Sequence, residues 1–172
     1  MTTADPAEVH AAWLPPEAFR SLGSRRILVC ADGTLADTVF REVAQACDRY
    51  GGSARRGPPG AADSPPAGDD RPCADGTPFD LILALASTRP LPAAAGTVRT
   101  EFRRRYARCA DTPGDDGFAL AHHGDVTVMM ADRPTGLLYG LFHLVRLGES
   151  AFGAARRMEL HRPAMGLRMV DH

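Results

Sequence analysis

Apolar residues fall in short blocks along this chain, and the spacing inside each block predicts its element. Arg26-Ile27-Leu28-Val29-Cys30-Ala31 is a short run of strand length, apolar after its first residue. From Thr38 to Tyr50 the apolar positions Val39, Phe40, Val43, Ala44, Ala46 and Cys47 recur at helical spacing. Asp37 stands where a side-chain oxygen can cap the free amides of a first turn, and Gly51-Gly52 supplies the stop. Phe79-Asp80-Leu81-Ile82-Leu83-Ala84-Leu85-Ala86 predicts a second strand, apolar on both sides and so central, ended by Pro90 and Pro92. Thr97 to Cys109 predicts a basic helix.

The second half repeats the grammar. After an Asp115-Asp116-Gly117 turn, the runs 117–123 and 126–131 predict two strands about Gly124-Asp125, whose turn chemistry signals a hairpin. A helix follows, with Pro134 or Thr135 at its start and Gly148 just past its end. Leu138, Leu141, Phe142 and Val145 make an apolar stripe, and Tyr139, His143 and Arg146 an amphipathic one. Gly136 and Gly140 lie four apart, which leaves one face bare for close backbone approach. Met158-Glu159-Leu160-His161 predicts a last strand before Pro163. Near the other end, Val9 to Phe19, with the single Trp at Trp13, reads as a hydrophobic arm packed on the sheet.

One interval breaks the pattern. Gly51 to Pro78 holds six Gly and six Pro and almost nothing large and apolar. Such a stretch buries too little surface to offset its ordering entropy, so 51–78 is expected to be a disordered insertion, with the sheet one strand short or poorly formed at that edge.

Composition narrows the function classes. A chain of 172 residues suits one domain and is short of the roughly 250 that a TIM barrel takes. The net charge of −1 argues against a dedicated nucleic-acid or membrane-surface binder. All 20 basic residues are Arg, which with the abundant Ala, Gly and Pro reads as coding bias. The run Arg103-Arg104-Arg105 with Arg108 reads as a solvated helix face. Cys30, Cys47, Cys73 and Cys109 show no metal-ligand spacing, and Cys30 and Cys47 fall where buried free thiols are expected. A polar N-terminus without a leader pattern and free thiols together point to a cytoplasmic protein. Adjacent strand residues face opposite ways, so His122-His123 cannot share a metal, and no metal is expected. His143 and His161 read as structural.

The run Ile27 to Thr38, with Asp32-Gly33-Thr34-Leu35-Ala36-Asp37-Thr38, resembles the first motif of haloacid-dehalogenase-type phosphatases, and Leu83 to Thr88 resembles their second. In those enzymes an Asp nucleophile ends the strand and a second Asp serves as acid and base. Here Cys30 holds the nucleophile's place, and a thiolate does not suit the hard magnesium ion that such chemistry uses.

A second resemblance covers more of the chain. Gly136-Leu137-Leu138-Tyr139-Gly140-Leu141-Phe142-His143-Leu144-Val145-Arg146-Leu147, followed by Pro163 and by Leu167-Arg168-Met169-Val170-Asp171-His172, resembles the close of the N-terminal domain of glycoside hydrolase family 67 α-glucuronidases. The family's phrase ends Leu-Arg-Met-Leu-Asn-His, continues as Trp-Asp-Asn and enters a catalytic (β/α)8 barrel; Asp171 replaces its Asn. The match extends well over 79–172 and loosely over 13–52. It implies one α/β domain over 1–172: a two-layer, mixed sheet with helices mainly on one face, of the kind that precedes a glycosidase barrel. It implies a non-catalytic role, with the barrel as partner in cis and xylo-oligosaccharide as the substrate of that barrel. The parent activity is release of 4-O-methylglucuronic acid, with inversion and without a cofactor. No catalytic residue carries over, since the acid pair belongs to barrel strands. Asp171 and His172 match the end of the first barrel strand and would approach substrate only beside a barrel. An apolar docking face is expected on such a domain. The alternatives are a free-standing carbohydrate- or protein-binding module and, behind it, the phosphatase.

Overall fold

In a computed structural model the described residues are 14–57, 79–107, 116–152 and 158–161. A 3-10 turn, Pro16–Phe19, leads into a short helix α1 (Arg20–Gly23), then β1 (Arg26–Cys30), α2 (Thr34–Tyr50), β2 (Ser53–Arg56) and β3 (Leu81–Leu85). Next come α3 (Ala93–Ala107), β4 (Phe118–His123), β5 (Val126–Ala131), α4 (Pro134–Leu147), a 3-10 turn at Gly148–Ala151, and β6 (Glu159–His161).

The six strands form one mixed sheet in the order β2-β1-β3-β5-β4-β6. β2, β1, β3 and β5 run parallel, while β4 is antiparallel to both β5 and β6. Strand alternation deals the apolar side chains to two faces. Ile27, Val29, Leu81, Leu83, Leu120 and Met129 join one core with Val39 and Val43 of α2 and Leu137 and Leu141 of α4. Leu28, Ile82, Ala84, Val128 and Met130 join the other, under Val98 and Phe102 of α3. The domain is thus α/β with a mixed sheet and its helices mainly on one face, as the resemblance implied. α3 alone lies on the second face, which explains why β1 and β3 are apolar throughout.

Four sequence expectations need correction. The interval 51–78 is not disordered throughout, because Ser53–Arg56 forms β2 and pairs in parallel with β1 from Arg26↔Ser53 to Val29↔Arg56. Backbone, not side-chain burial, holds this edge strand: Gly52 N–H donates to the Gly23 carbonyl (2.9 Å) and Ser53 N–H to that of Arg25 (3.0 Å). Gly51 turns the chain at φ 82°, and a Cβ on Gly52 would strike the Gly23 and Arg25 carbonyls. Apolar content was the wrong measure for a strand of this kind, and the sheet is not a strand short beside β1. The rest of that interval, 58–78, lies outside the described residues.

The helix expected from Thr38 starts at Thr34, and Asp37 is not its cap. Gly33, at φ 103°, turns the chain directly out of β1, so Asp37 falls inside the first turn and pairs with Arg56. The basic helix begins at Ala93, not Thr97, because Ala94 and Ala95 supply its first buried face. Small residues give a weak apolar signal but a close fit. On α4 the buried line is Gly136, Leu137, Gly140, Leu141, Leu144 and Val145, with Leu138 and Phe142 only partly covered. The glycines bring the helix backbone onto the sheet, so the contact is centred on them.

The expected hairpin is present, with β4 and β5 paired from Phe118↔Ala131 to His123↔Val126 and Gly124 at φ 59°. No helix among the described residues is long and apolar enough to cross a membrane. Trp13, Cys73, Cys109, Asp171 and His172 lie outside the described residues.

Candidate functional site

The sheet reverses its build direction at β1, with β2 on one side and β3 on the other. In open α/β sheets such a point leaves a crevice beyond the carboxyl ends of the strands. Here that position lies between Cys30-Ala31-Asp32-Gly33 after β1 and Ala86-Ser87-Thr88-Arg89 after β3. Thr88 Oγ1 donates to the Cys30 carbonyl across it, at 2.9 Å. Both stretches resembling phosphatase motifs therefore meet.

Their chemistry does not follow. The Cys30 side chain is buried and turned into the α3 core, where its thiol donates to the Gly57 carbonyl at 3.5 Å. Burial, and next the charge of Asp32, push this thiol up to about 12. It stays protonated near neutrality and cannot act as a nucleophile. Cys47, buried in α2, is pushed up to about 11 by burial and by Asp48. Alkylation at pH 8 should leave both thiols intact in the native protein and label both in denaturant, as read by peptide mass spectrometry. Rapid native labelling of Cys30 would show that its burial is wrong.

What the crevice gathers instead is positive charge. Arg99 and Arg103 sit one turn apart on α3 and both reach over the loop after β3. Arg103 Nη2 donates to the Ala86 carbonyl at 3.1 Å, and Arg99 Nη1 to that of Thr88 at 3.5 Å. Arg89 follows in the same loop. Desolvation, then the charges of Arg89 and Arg103, lower the pKa of Arg99. Sequence reasoning treated 103–105 as one solvated run. The structure splits it: Arg104 and Arg105 both bind Glu101, at 2.8 and 2.6 Å, while Arg103 turns to the crevice. Arg89 and Arg99 were not singled out, although the i, i+4 spacing of Arg99 and Arg103 was a readable signal.

Farther along the sheet, the histidines take structural positions. His122 sets Nε2 3.1 Å from the Ala151 carbonyl, on the α4 side of the sheet, while alternation sends His123 toward α3. An open cleft lies there, floored by Val98, Ala121 and Met158 and edged by Glu101, Arg105 and His123. Arg105 spans it, donating to the Met158 carbonyl at 3.1 Å. Phe118 of β4, His143 of α4 and His161 of β6 form a three-ring cluster. Phe118 stacks on His161 at 4.7 Å between centroids, and the two imidazoles lie 4.3 Å apart. Among the described residues, no group of three or more His, Cys, Asp or Glu is placed to hold a metal ion.

The ring cluster carries a pH prediction. Burial lowers the His161 pKa, and the attraction of Glu159 offsets only part of that. A histidine with a depressed native pKa binds a proton more readily when unfolded, so stability rises with pH through that window. Its contribution is complete above the ordinary value of about 6.5 and is lost as the pH falls from there toward the native value. The urea midpoint should therefore drop between pH 7.5 and pH 5.5, and less so in His161→Phe. An equal drop in the variant would place the acid sensitivity elsewhere.

Compared with known protein families and with curated proteins, the chain matches none. The functional reading thus rests on the residues themselves.

Proposed function

We propose that this chain is the N-terminal, non-catalytic domain of a family 67-type α-glucuronidase. The observation that carries the reading is the sequence phrase from Gly136 to Leu147 with 163–172 behind it. Its setting supports the reading. The β4–β5 hairpin, the glycine-faced helix α4 and the strand β6 follow one another in the order that the family's pattern implies. The chain then continues into residues 162–172, which hold the Leu-Arg-Met phrase that leads into a barrel in the family.

On this reading the work is architectural. The barrel, in cis, releases 4-O-methylglucuronic acid from xylo-oligosaccharide by a pair of carboxyl groups, and this domain packs against it. The reading includes a cytoplasmic setting, in keeping with Cys30 and Cys47 as buried free thiols. One expectation changes. The only exposed large apolar residues among those described are Leu35 and Tyr139, so these residues present no broad apolar docking face. Contacts between domains of one chain are often polar and modest in area, and the linker keeps the partners together.

The purified chain should release no uronic acid from aldouronic oligosaccharides. It should co-purify with a family 67 barrel stripped of its own N-terminal domain and raise the barrel's soluble yield. Turnover by this chain alone, or a folded barrel that neither binds it nor gains solubility, would overturn the proposal. The alternative of a free-standing binding module draws support from one feature, the arginines at the sheet's carboxyl edge.

A further inference from the structure

We propose that Arg89, Arg99 and Arg103, gathered over the loop after β3, bind a small ligand through an oxyanion group, a phosphate or a carboxylate. The inference stands apart from the α-glucuronidase reading, and failure of one leaves the other intact.

The first argument is charge balance. Several of the described arginines are matched: Arg25 with Glu149, Arg26 with Asp80, Arg56 with Asp37, and Arg104 and Arg105 with Glu101. Arg89, Arg99 and Arg103 have no carboxylate partner among the described residues. Their mutual repulsion is felt at Arg99. Three guanidiniums held together without a counter-ion cost free energy that an anion would relieve.

The second argument is geometry. Arg99 and Arg103 are held over the loop by the Thr88 and Ala86 carbonyls. Each guanidinium has five N–H donors in a planar fork and spends one here, leaving donors suited to bidentate contact with phosphate or carboxylate. The third is place. These side chains rim the crevice at the point where the strand order reverses, the usual ligand position in open α/β sheets. Asp32, on the opposite wall, is exposed and opposes an anion; Asp37 is neutralised by Arg56. Three charges over one loop fit a compact ligand better than a polymer, in keeping with the chain's net charge of −1.

The test is calorimetric titration of the whole chain at low salt with pyrophosphate and, separately, with citrate. Saturable binding to one site is expected for at least one probe, and the stronger probe identifies the group as phosphate or carboxylate. Arg99→Gln with Arg103→Gln should weaken it at least about tenfold. Arg104→Gln should leave it unchanged, and Asp32→Asn should strengthen it. Thermal midpoints of the variants separate lost binding from lost folding, and Arg89→Gln, on an exposed loop, gives a second reading if the double variant is unfolded. No saturable binding of either probe up to about 10 mM, or binding equal in the crevice variants and Arg104→Gln, would overturn the proposal.

Discussion

Replacing Gly136 by alanine should destabilise the domain by about 2–3 kcal/mol, against the usual gain from removing a helical glycine. A Cβ at this position would collide with the backbone carbonyl of Gly117, at the entrance to β4, and would also press on Ala131. A carbonyl that begins a strand cannot rotate away without disturbing the pairing of Phe118 with Ala131. Gly140 makes an instructive comparison. A Cβ there would lie 2.5 Å from Met129 Sδ and 2.9 Å from its Cε. Those atoms end a flexible side chain, so Gly140→Ala should cost about 1 kcal/mol or less as Met129 adjusts. Gly140→Leu exceeds that slack and should cost about 1–3 kcal/mol. Urea unfolding of the three variants checks the order. If Gly136→Ala is as stable as the parent, α4 does not lie on the β4–β5 hairpin as described.

Asp80→Ala should cost a comparable amount, about 2–3 kcal/mol. Asp80 accepts three hydrogen bonds from Arg26, from its backbone N–H at 2.8 Å, its Nε at 3.2 Å and its Nη2 at 2.8 Å. The same two residues exchange a backbone bond, Asp80 N–H to the Arg26 carbonyl at 2.9 Å. The pair thus fixes the start of β1 against the start of β3, and removing the carboxylate takes three hydrogen bonds from Arg26. Burial pushes the Asp80 carboxyl up, but the hydrogen bonds and charge of Arg26, with Arg25 behind, outweigh it and hold the group below the usual carboxylate range. A depressed native pKa means that the contribution is complete above about pH 4 and is lost as the pH falls through the native value. The parent should therefore lose stability below about pH 4 more steeply than Asp80→Asn. Parallel acid curves would show that the pair adds nothing to folding.

What the sequence revealed, and what it hid, follows from how each element is held. β1, β3, the hairpin and α4 are held by large apolar side chains, and their periodicity was legible. Ser53–Arg56 was not, because an edge strand beside β1 needs backbone partners more than a core. The first turn of α3 was missed because Ala94 and Ala95 bury fully yet weigh little on any apolar scale. The stripe on α4 was placed one residue off, because Gly136 and Gly140 define the contact by what they lack. At the crevice, the Cys30-to-Thr38 phrase pointed to the right place and the wrong chemistry. The arginines that occupy that place come from α3 and the β3 loop, and only the fold brings them together.

The central proposal, that this chain is the front of an α-glucuronidase, is tested most directly by the DNA beyond the codon for His172. Read in all three frames, it should encode Trp-Asp-Asn and then the strands and helices of a catalytic barrel. If no frame continues in this way, the α-glucuronidase assignment is wrong and the domain's role must be sought in what its arginine crevice binds.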